Sequence, residues 1–429
     1  MKILLKGLRV VNPAQKLDIN ADILINNGVI EKIENIDASQ YKDVTVYNLD
    51  GKLCVPGLYD MHVHLREPGR EDKETVISGS NSAAAGGYTG LACMPNTDPT
   101  IDSAEVVKFI IDRAKEHLVE VDPIGAVTKG RKGEALAPLL ELYDAGAVAF
   151  SDDGTAVKTA AMLKNALDYS KMIDSPIIEH CEDESLAGGS MNESIVSTQL
   201  GLPSIPTVAE DLIVMRGILL AEYTGGRIHI AHISSKRAVE LVRDAKNRGI
   251  DVTAEVAPHH FSLTDERVRE FNTNYKMNPP LREQKDVDAI IEGLQDGTID
   301  CIASDHAPHT IEEKELEYIY APNGIIGLET QVGLTLTQLY HTKKLTLEQI
   351  IEKLSINPRI ILNKDIPSIE IGEKANLTIL DLDEEYIFDI NKSKSRSKNS
   401  PFHGTKLKGK SLAVINNSQM YFDGKYISI

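Results

Sequence analysis

The chain has 429 residues, 42% of them hydrophobic and 26% charged, which suits a barrel of about 250 residues plus an accessory module. No run of about 18 or more uncharged apolar residues occurs, so a membrane-spanning helix is excluded. The net charge of −18 argues against nucleic acid or anionic membrane as a partner, because both need a positive footprint. An anionic small molecule would also be repelled from afar and has to be met by cations placed locally. The opening residues Met1 to Gly7 hold too short an apolar run for a secretory leader. Cys54, Cys93, Cys181 and Cys301 lie far apart with no C-x-x-C pair, so neither a disulfide framework nor a thiolate zinc site is expected. A cytoplasmic enzyme is the expectation.

Residues 1–52 read as short strands with turns at Asn12-Pro13 and Asn26-Asn27-Gly28. Eight runs rich in Val, Ile and Ala follow: Leu53 to Asp60, Tyr88 to Met94, Val119 to Val127, Ala147 to Ser151, Pro176 to Glu179, Arg227 to Ala231, Asp251 to Val256 and Asp300 to Ser304. Each ends in a polar tip, and most lead into a helical stretch. Ser103 to His117, Ala209 to Tyr223 and Ser235 to Arg248 have helical periodicity, with Ser103 and Glu105 as start signals and Gly249 as a stop. Eight strands alternating with helices are what a closed parallel barrel requires. Thr310 to Tyr320 is charged and lacks that period, and both a mobile lid and a plain surface loop fit it. Strand-like runs return at Leu377 to Leu380 and Ser411 to Ile415, while Lys392 to Lys398, basic and Ser-rich, reads as a solvated loop. The predicted fold is α/β: a TIM-type (β/α)8 barrel over residues 53–370, with a small β-sandwich-like module assembled from residues 1–52 and 371–429.

The chemistry-bearing residues sit at strand ends. Strand side chains alternate, so His62 and His64 share a face, and at the C-terminal end of a barrel strand that face looks into the catalytic mouth. A lone H-x-H is a weak motif. Three more candidates strengthen it: His180 closes the fifth run, His232 the sixth and Asp305 the eighth. His229 and His232 differ by an odd number, and His229 is read as core. After the fourth run, Asp153 is the carboxylate that could bridge two metals about 3.5 Å apart, and Asp152 is read as an Asx-turn residue. Imidazole and carboxylate donors without thiolates favour zinc, with manganese or cobalt able to substitute. Zinc lowers the pKa of its water toward about 7 and so generates a nucleophile. Asp305 is placed to take the proton and deliver it to a leaving nitrogen. His259, His260 and His306 are read as supporting residues near the mouth.

Asp60-Met61-His62-Val63-His64-Leu65-Arg66-Glu67-Pro68-Gly69, Met94-Pro95-Asn96-Thr97, Phe150-Ser151-Asp152-Asp153-Gly154, Asn278-Pro279-Pro280-Leu281-Arg282 and Ser304-Asp305-His306-Ala307-Pro308-His309 together resemble the bacterial dihydroorotase family of the amidohydrolase superfamily. The resemblance runs over essentially the whole chain. It implies reversible interconversion of N-carbamoyl-L-aspartate and L-dihydroorotate, the third step of pyrimidine synthesis. It also implies one zinc on His62, His64 and Asp305, a second on His180 and His232, and Asp153 as the bridge. By the same matching Arg66 and Asn96 grip the substrate carboxylate, with His64, Asn278 and His309 at the substrate and Asn323 and Gly324 presenting backbone groups to it. Arg66 then supplies the local cation that the acidic chain demands, and its planar fork suits a carboxylate.

The sequence departs from the wider pattern twice. Many superfamily members bridge the metals with a carboxylated lysine where this chain has Asp153, as one dihydroorotase subgroup does, which leaves occupancy open between two zinc ions and one. Asn323 stands where close relatives commonly carry Phe. A hydantoinase or allantoinase would use the same metal cradle, but Asp153 with Arg66 and Asn96 favours dihydroorotase. A non-catalytic scaffold for aspartate transcarbamoylase would tend to lose ligands, and here every one is present. A homodimer and an association with aspartate transcarbamoylase are the open macromolecular partners.

Overall fold

The computed structural model of the chain describes residues 1–41 and 43–429. Eight strands, Leu58–Val63, Tyr88–Cys93, Glu120–Ala126, Ala149–Ser151, Ile177–Glu179, Ile228–Ile230, Val252–Val256 and Cys301–Ile302, lie side by side in chain order and pair in parallel throughout. The ring closes where Val63 bridges to His306. Tyr59, Met61, Ala92, Ile124, Ala149, Ile178, Ala231 and Cys301 pack together inside it. Residues of opposite parity, such as Leu91, Val121, Ile177 and Val252, pack outward against helices. Both faces of every strand are thus covered, which is why the runs read as continuously apolar rather than alternating.

The helices form for ordinary reasons. Lys236–Asn247 buries Ala238, Val239, Val242 and Ala245 at helical spacing, and the Ser235 hydroxyl caps it by accepting from the Ala238 amide at 2.9 Å. Val208–Thr224 and Ala104–Ala114 lie where the periodicity predicts them. Ser103 occupies the N-cap position of the latter, but its side chain makes no capping hydrogen bond.

The module built from both ends is one nine-stranded sheet, running from Lys425–Ser428 through Lys406–Asn416 and Leu377–Ile387 to Lys2–Asn12, Leu17–Asn26 and Val29–Glu34. Ile3, Leu5, Ile23 and Ile25 from the first half pack with Leu377, Ile379, Ile415 and Met420 from the second.

Two expectations are corrected. The run Leu53 to Asp60 is two strands: Leu53–Pro56 pairs with Lys2–Asn12 and Leu377–Ile387 in the terminal sheet, and only Leu58–Val63 enters the barrel. The chain changes sheets at Gly57, where an added Cβ would meet the Thr89 hydroxyl at 2.1 Å, so only glycine passes between the two layers. Lys392 to Lys398 is not a solvated loop. Lys392, Lys394 and Arg396 point to water, but Ser395 and Ser397 are buried against the barrel. The Ser395 hydroxyl bonds Glu74, and that of Ser397 donates to the Lys73 carbonyl at 2.7 Å. The period-2 alternation of an extended strap explains both the charge and the burial.

Candidate metal and substrate site

Alternation alone does not aim the histidines. Tyr59 and Met61 face the barrel interior, so strict period 2 would send His62 outward. A register irregularity between Asp60 and Val63 turns it into the mouth instead. His229 does face the interior, deep in the barrel, where its Nδ1 pairs with the Thr253 hydroxyl at 2.8 Å. His232 reaches the mouth because its backbone leaves strand geometry, at φ 32°. Arg66 at φ 62° and Asp305 at φ 46° are likewise left-handed. Such conformations cost about 1–3 kcal/mol each in residues with a side chain and tend to collect where function needs them.

The donors converge. His62 Nε2 lies 3.5 Å from Asp153 Oδ1 and 3.6 Å from Asp305 Oδ1. His64 Nε2 is 3.5 Å from Asp153 Oδ2 and 3.1 Å from Asp305 Oδ1. On the other side His180 Nδ1 and His232 Nε2 each stand 3.6 Å from Asp153 Oδ1. Asp153 therefore sits between two histidine pairs, and His62 Nε2 and Asp153 Oδ1 are buried without a hydrogen-bond partner. Buried polar atoms of this kind are costly unless something else meets them. Imidazole nitrogens and carboxylates gathered in two groups around Asp153 make a donor set that could hold a metal ion.

The electrostatics ask for positive charge. Burial pushes the Asp153 carboxyl up, but His62, His180 and His232 hold it well below the ordinary range. Asp305 is held low in the same way, against its burial, by His64 and His62. Burial pushes His180 down, yet Asp153 and Glu182 raise it to about 10. A divalent ion supplies the same positive charge to the carboxylates while leaving the imidazoles neutral.

Outer partners orient these donors. His62 Nδ1 pairs with Glu255, which burial pushes up but His62 and His229 hold at about 2. His64 Nδ1 donates to Asn96 Oδ1 at 2.8 Å. Each bond directs the opposite ring nitrogen inward, the usual arrangement around metal-binding imidazoles. Asp152 accepts from the Thr128 amide and hydroxyl at 3.0 and 2.6 Å and turns away from the cluster.

A cavity of about 210 Å³ opens above the donors, smaller than the roughly 300–1,000 Å³ of drug-sized pockets. His64, Arg66, Asn96, Asn278, His309, Asn323 and Gly324 all line it, beside Asp153, His180, His232 and Asp305. Arg66 is half-buried and its Nε donates to the Pro308 carbonyl at 3.2 Å, which leaves the two terminal nitrogens uncommitted among the described residues. Asn278 donates to Glu182 at 2.9 Å, and its buried Oδ1 has no partner. Burial, Arg66 and Lys73 push His309 down to about 3, so the ring is neutral. Its Nε2 donates to the Asn323 carbonyl at 2.7 Å. Asn323 thus contributes its backbone. Gly324, at φ 120°, admits no side chain, since a Cβ would meet Ala307 Cβ at 2.6 Å.

The supporting histidines divide. His306 takes the Gly327 amide on Nδ1 at 3.2 Å and sets Nε2 3.2 Å from Glu74, and its carbonyl accepts from the His64 amide at 2.8 Å. His260 donates to the Pro279 carbonyl at 3.0 Å, while His259 is buried with Nε2 unpartnered. Thr310 to Tyr320 contains the short helix Ile311–Lys314 and is pinned from beneath. Lys314 Nζ donates to the carbonyls of Pro322 and Gly324, and Lys276 Nζ to those of Ile319 and Ala321.

Sequence reading missed Glu255, Glu182, Lys73 and Asn399. Only Glu255 carried a signal, a carboxylate inside the apolar run Asp251 to Val256.

Comparison with known proteins agrees with this architecture. The family model described as dihydro-orotase-like matches residues 51–238. A dihydroorotase of Acetivibrio thermocellus is 50% identical over 97% of this chain and 98% of its own length. That of Syntrophus aciditrophicus is 49% identical over 98% and 99%. Among solved structures, L-hydantoinase (dihydropyrimidinase) from Arthrobacter aurescens aligns with a TM-score of 0.84 at 26% identity, covering 99% of this chain and 96% of that one. D-hydantoinase from Thermus sp. has the same fold at TM-score 0.81 and 22% identity, over 100% and 97%. With half of its residues identical to dihydroorotases along nearly its full length, the chain belongs to the dihydroorotase family.

Proposed function

We propose that the chain interconverts L-dihydroorotate and N-carbamoyl-L-aspartate with zinc held by His62, His64, Asp153, His180, His232 and Asp305. One observation carries this reading: Asp153 stands between two histidine pairs and lines the same small cavity as Arg66, whose two terminal guanidinium nitrogens are uncommitted among the described residues. Zinc bound there supplies Lewis acidity and a nucleophile of hydroxide strength at neutral pH.

The chain's own residues do the rest. Arg66, with the Asn96 amide nitrogen that its bond to His64 leaves free, holds the substrate carboxylate. The unpartnered Asn278 Oδ1 accepts from a ring N–H, and His309 with the backbone at Asn323 and Gly324 forms the opposite wall. Ring opening adds the oxygen of water to the amide carbonyl carbon and breaks its bond to the ring nitrogen. Asp305 takes the proton from water and returns it to that nitrogen; ring closure runs the same steps backward, releasing water.

An anion-gripping arginine favours dihydroorotate over hydantoin or allantoin, which lack the carboxylate. Among the described residues the cavity lining contains Asp153 and no lysine, so activity should be independent of added bicarbonate. All four cysteines are free and buried, which supports a reducing, cytoplasmic setting. Among the described residues no helix is long and apolar enough to cross a membrane. Val208, Leu212, Met215, Leu219 and Tyr223 form one exposed stripe along Val208–Thr224 and support pairing of two copies, tested by light scattering. For an aspartate transcarbamoylase partner the test is co-elution of the mixed proteins.

The deciding experiment assays carbamoyl aspartate, dihydroorotate, hydantoin and allantoin side by side, with metal analysis of the same sample. Turnover of the first two by zinc-containing protein is expected. Preference for hydantoin or allantoin, or full activity without bound metal, would overturn the reading.

A further inference from the structure

The wall of the cavity that carries His309 and Gly324 is held from outside the barrel. Residues 393–400 leave the terminal sheet between Leu377–Ile387 and Lys406–Asn416 and run across the barrel mouth. Asn399 lies within this strap and is only 4% exposed. Its Oδ1 accepts from the His309 amide at 3.1 Å, and its Nδ2 donates to the carbonyls of Ala307 at 2.9 Å and Gly324 at 3.1 Å. Its own carbonyl accepts from the Ile326 amide at 3.0 Å. The side-chain orientation is unambiguous, because a flipped amide would set oxygen against two carbonyls and nitrogen against an N–H.

All three residues gripped by that side chain line the cavity. They come from two segments of chain, 307–309 and 324, that no regular secondary structure joins beyond the bridge between His306 and Ile325. The strap is itself anchored. Arg396 N donates to Glu74 at 3.0 Å, Ser397 bonds the Lys73 carbonyl, and Phe402 packs with Ile325 and Ile326. Lys73 in turn sets Nζ 3.3 Å from His309 Nδ1.

We infer that Asn399 is a positioning residue for substrate binding, fixing His309 and Gly324 relative to each other without touching substrate or metal. This rests on the reading of His309 and Gly324 as a substrate wall. Cutting the clamp strands a buried N–H and two buried carbonyls, and the segments must shift to find water. A shift of about 1 Å in a positioning group can cost on the order of 100-fold.

The test compares the parent with Asn399→Ala, which removes all three bonds, and Asn399→Asp, which keeps the size and the acceptor but opposes both carbonyls. In Asn399→Ala, KM for dihydroorotate should rise roughly tenfold or more, with kcat changed by less and zinc content at the parent's level. Amide exchange should quicken in 307–309 and 324–326 and stay unchanged in the segments bearing His62, His64 and Asp153. Unaltered KM, or a fall in kcat and zinc content with KM held, would overturn the inference. If Asn399→Ala does not fold, Asn399→Asp decides by the same two readouts. A parent inactive on dihydroorotate would fail the reaction assignment alone; unchanged exchange in the variant would still sink the clamp.

Discussion

The floor of the cavity and its rim are built by different means. Floor donors His62, His64, Asp153, His180, His232 and Asp305 lie in, or within three residues of the end of, barrel strands whose backbones are paired on both sides. Their aim is then adjusted by single departures, the irregularity before Val63 and the left-handed backbones of His232 and Asp305. Rim residues Arg66, Asn96, Asn278, His309, Asn323 and Gly324 lie beyond the strands, and those on 307–309 and 322–324 are held by lysine-to-carbonyl bonds and by a strap from the terminal sheet. A floor built on paired strands suits chemistry that tolerates little misplacement, and a rim built on loops has to be held by side-chain bonds instead.

That division can be broken by kinetics. The largest effect is expected at the floor. Asp305→Asn should lower kcat by about 10²–10⁴-fold, the range of a general acid and base, while KM moves little. A variant that keeps full kcat would remove Asp305 from proton transfer. At the rim, Arg66→Ala should lose a charged hydrogen-bonding partner worth about 1.5–3 kcal/mol and raise KM for carbamoyl aspartate roughly 10- to 100-fold. Zinc content should match the parent. Loss of metal in this variant would mean that floor and rim are one unit after all.

The smallest effect concerns the pinned segment Thr310 to Tyr320. Burial pushes the Glu313 carboxyl up, but Lys73 and Arg70 beside it hold it at about 2, below its ordinary 4.5. A depressed carboxyl contributes stability that is fully present above the unfolded value and is lost as pH falls from about 4.5 toward 2. Its side chain is 27% exposed, so the contribution should stay within about 1 kcal/mol. Proteolysis within 310–320 should therefore quicken over that window in the parent, and Glu313→Gln should flatten the dependence. An identical pH profile in both proteins would show that the ion pairs do not hold the segment.

What could be read in advance follows the same line between floor and rim. The eight apolar runs, their helical partners and the residues at their ends were legible because period and strand termini are local properties. The parity argument for His62, His64 and His232 reached a face of the strand without its cause. Bulges and left-handed residues leave no mark in a pattern of apolar positions, and they decide where His62 and His232 point. Lys73 and Asn399 were invisible for another reason: each acts through residues far away in sequence, Lys73 through His309 and Asn399 through a segment some 90 positions earlier. A basic, serine-rich stretch looks solvated until a partner surface is known.

By itself, then, the sequence determined an α/β barrel, and it pointed to His62, His64, Asp153, His180, His232 and Asp305 near its strand ends with Arg66 close by. Strand order, charge balance and residue chemistry are written in consecutive positions. The tertiary structure alone decided that the run Leu53 to Asp60 splits between two sheets at Gly57, that Glu255 stands behind His62, and that a strap from the terminal sheet closes over the rim. Each depends on which surfaces meet when the two ends of the chain come together, and no local pattern encodes that meeting.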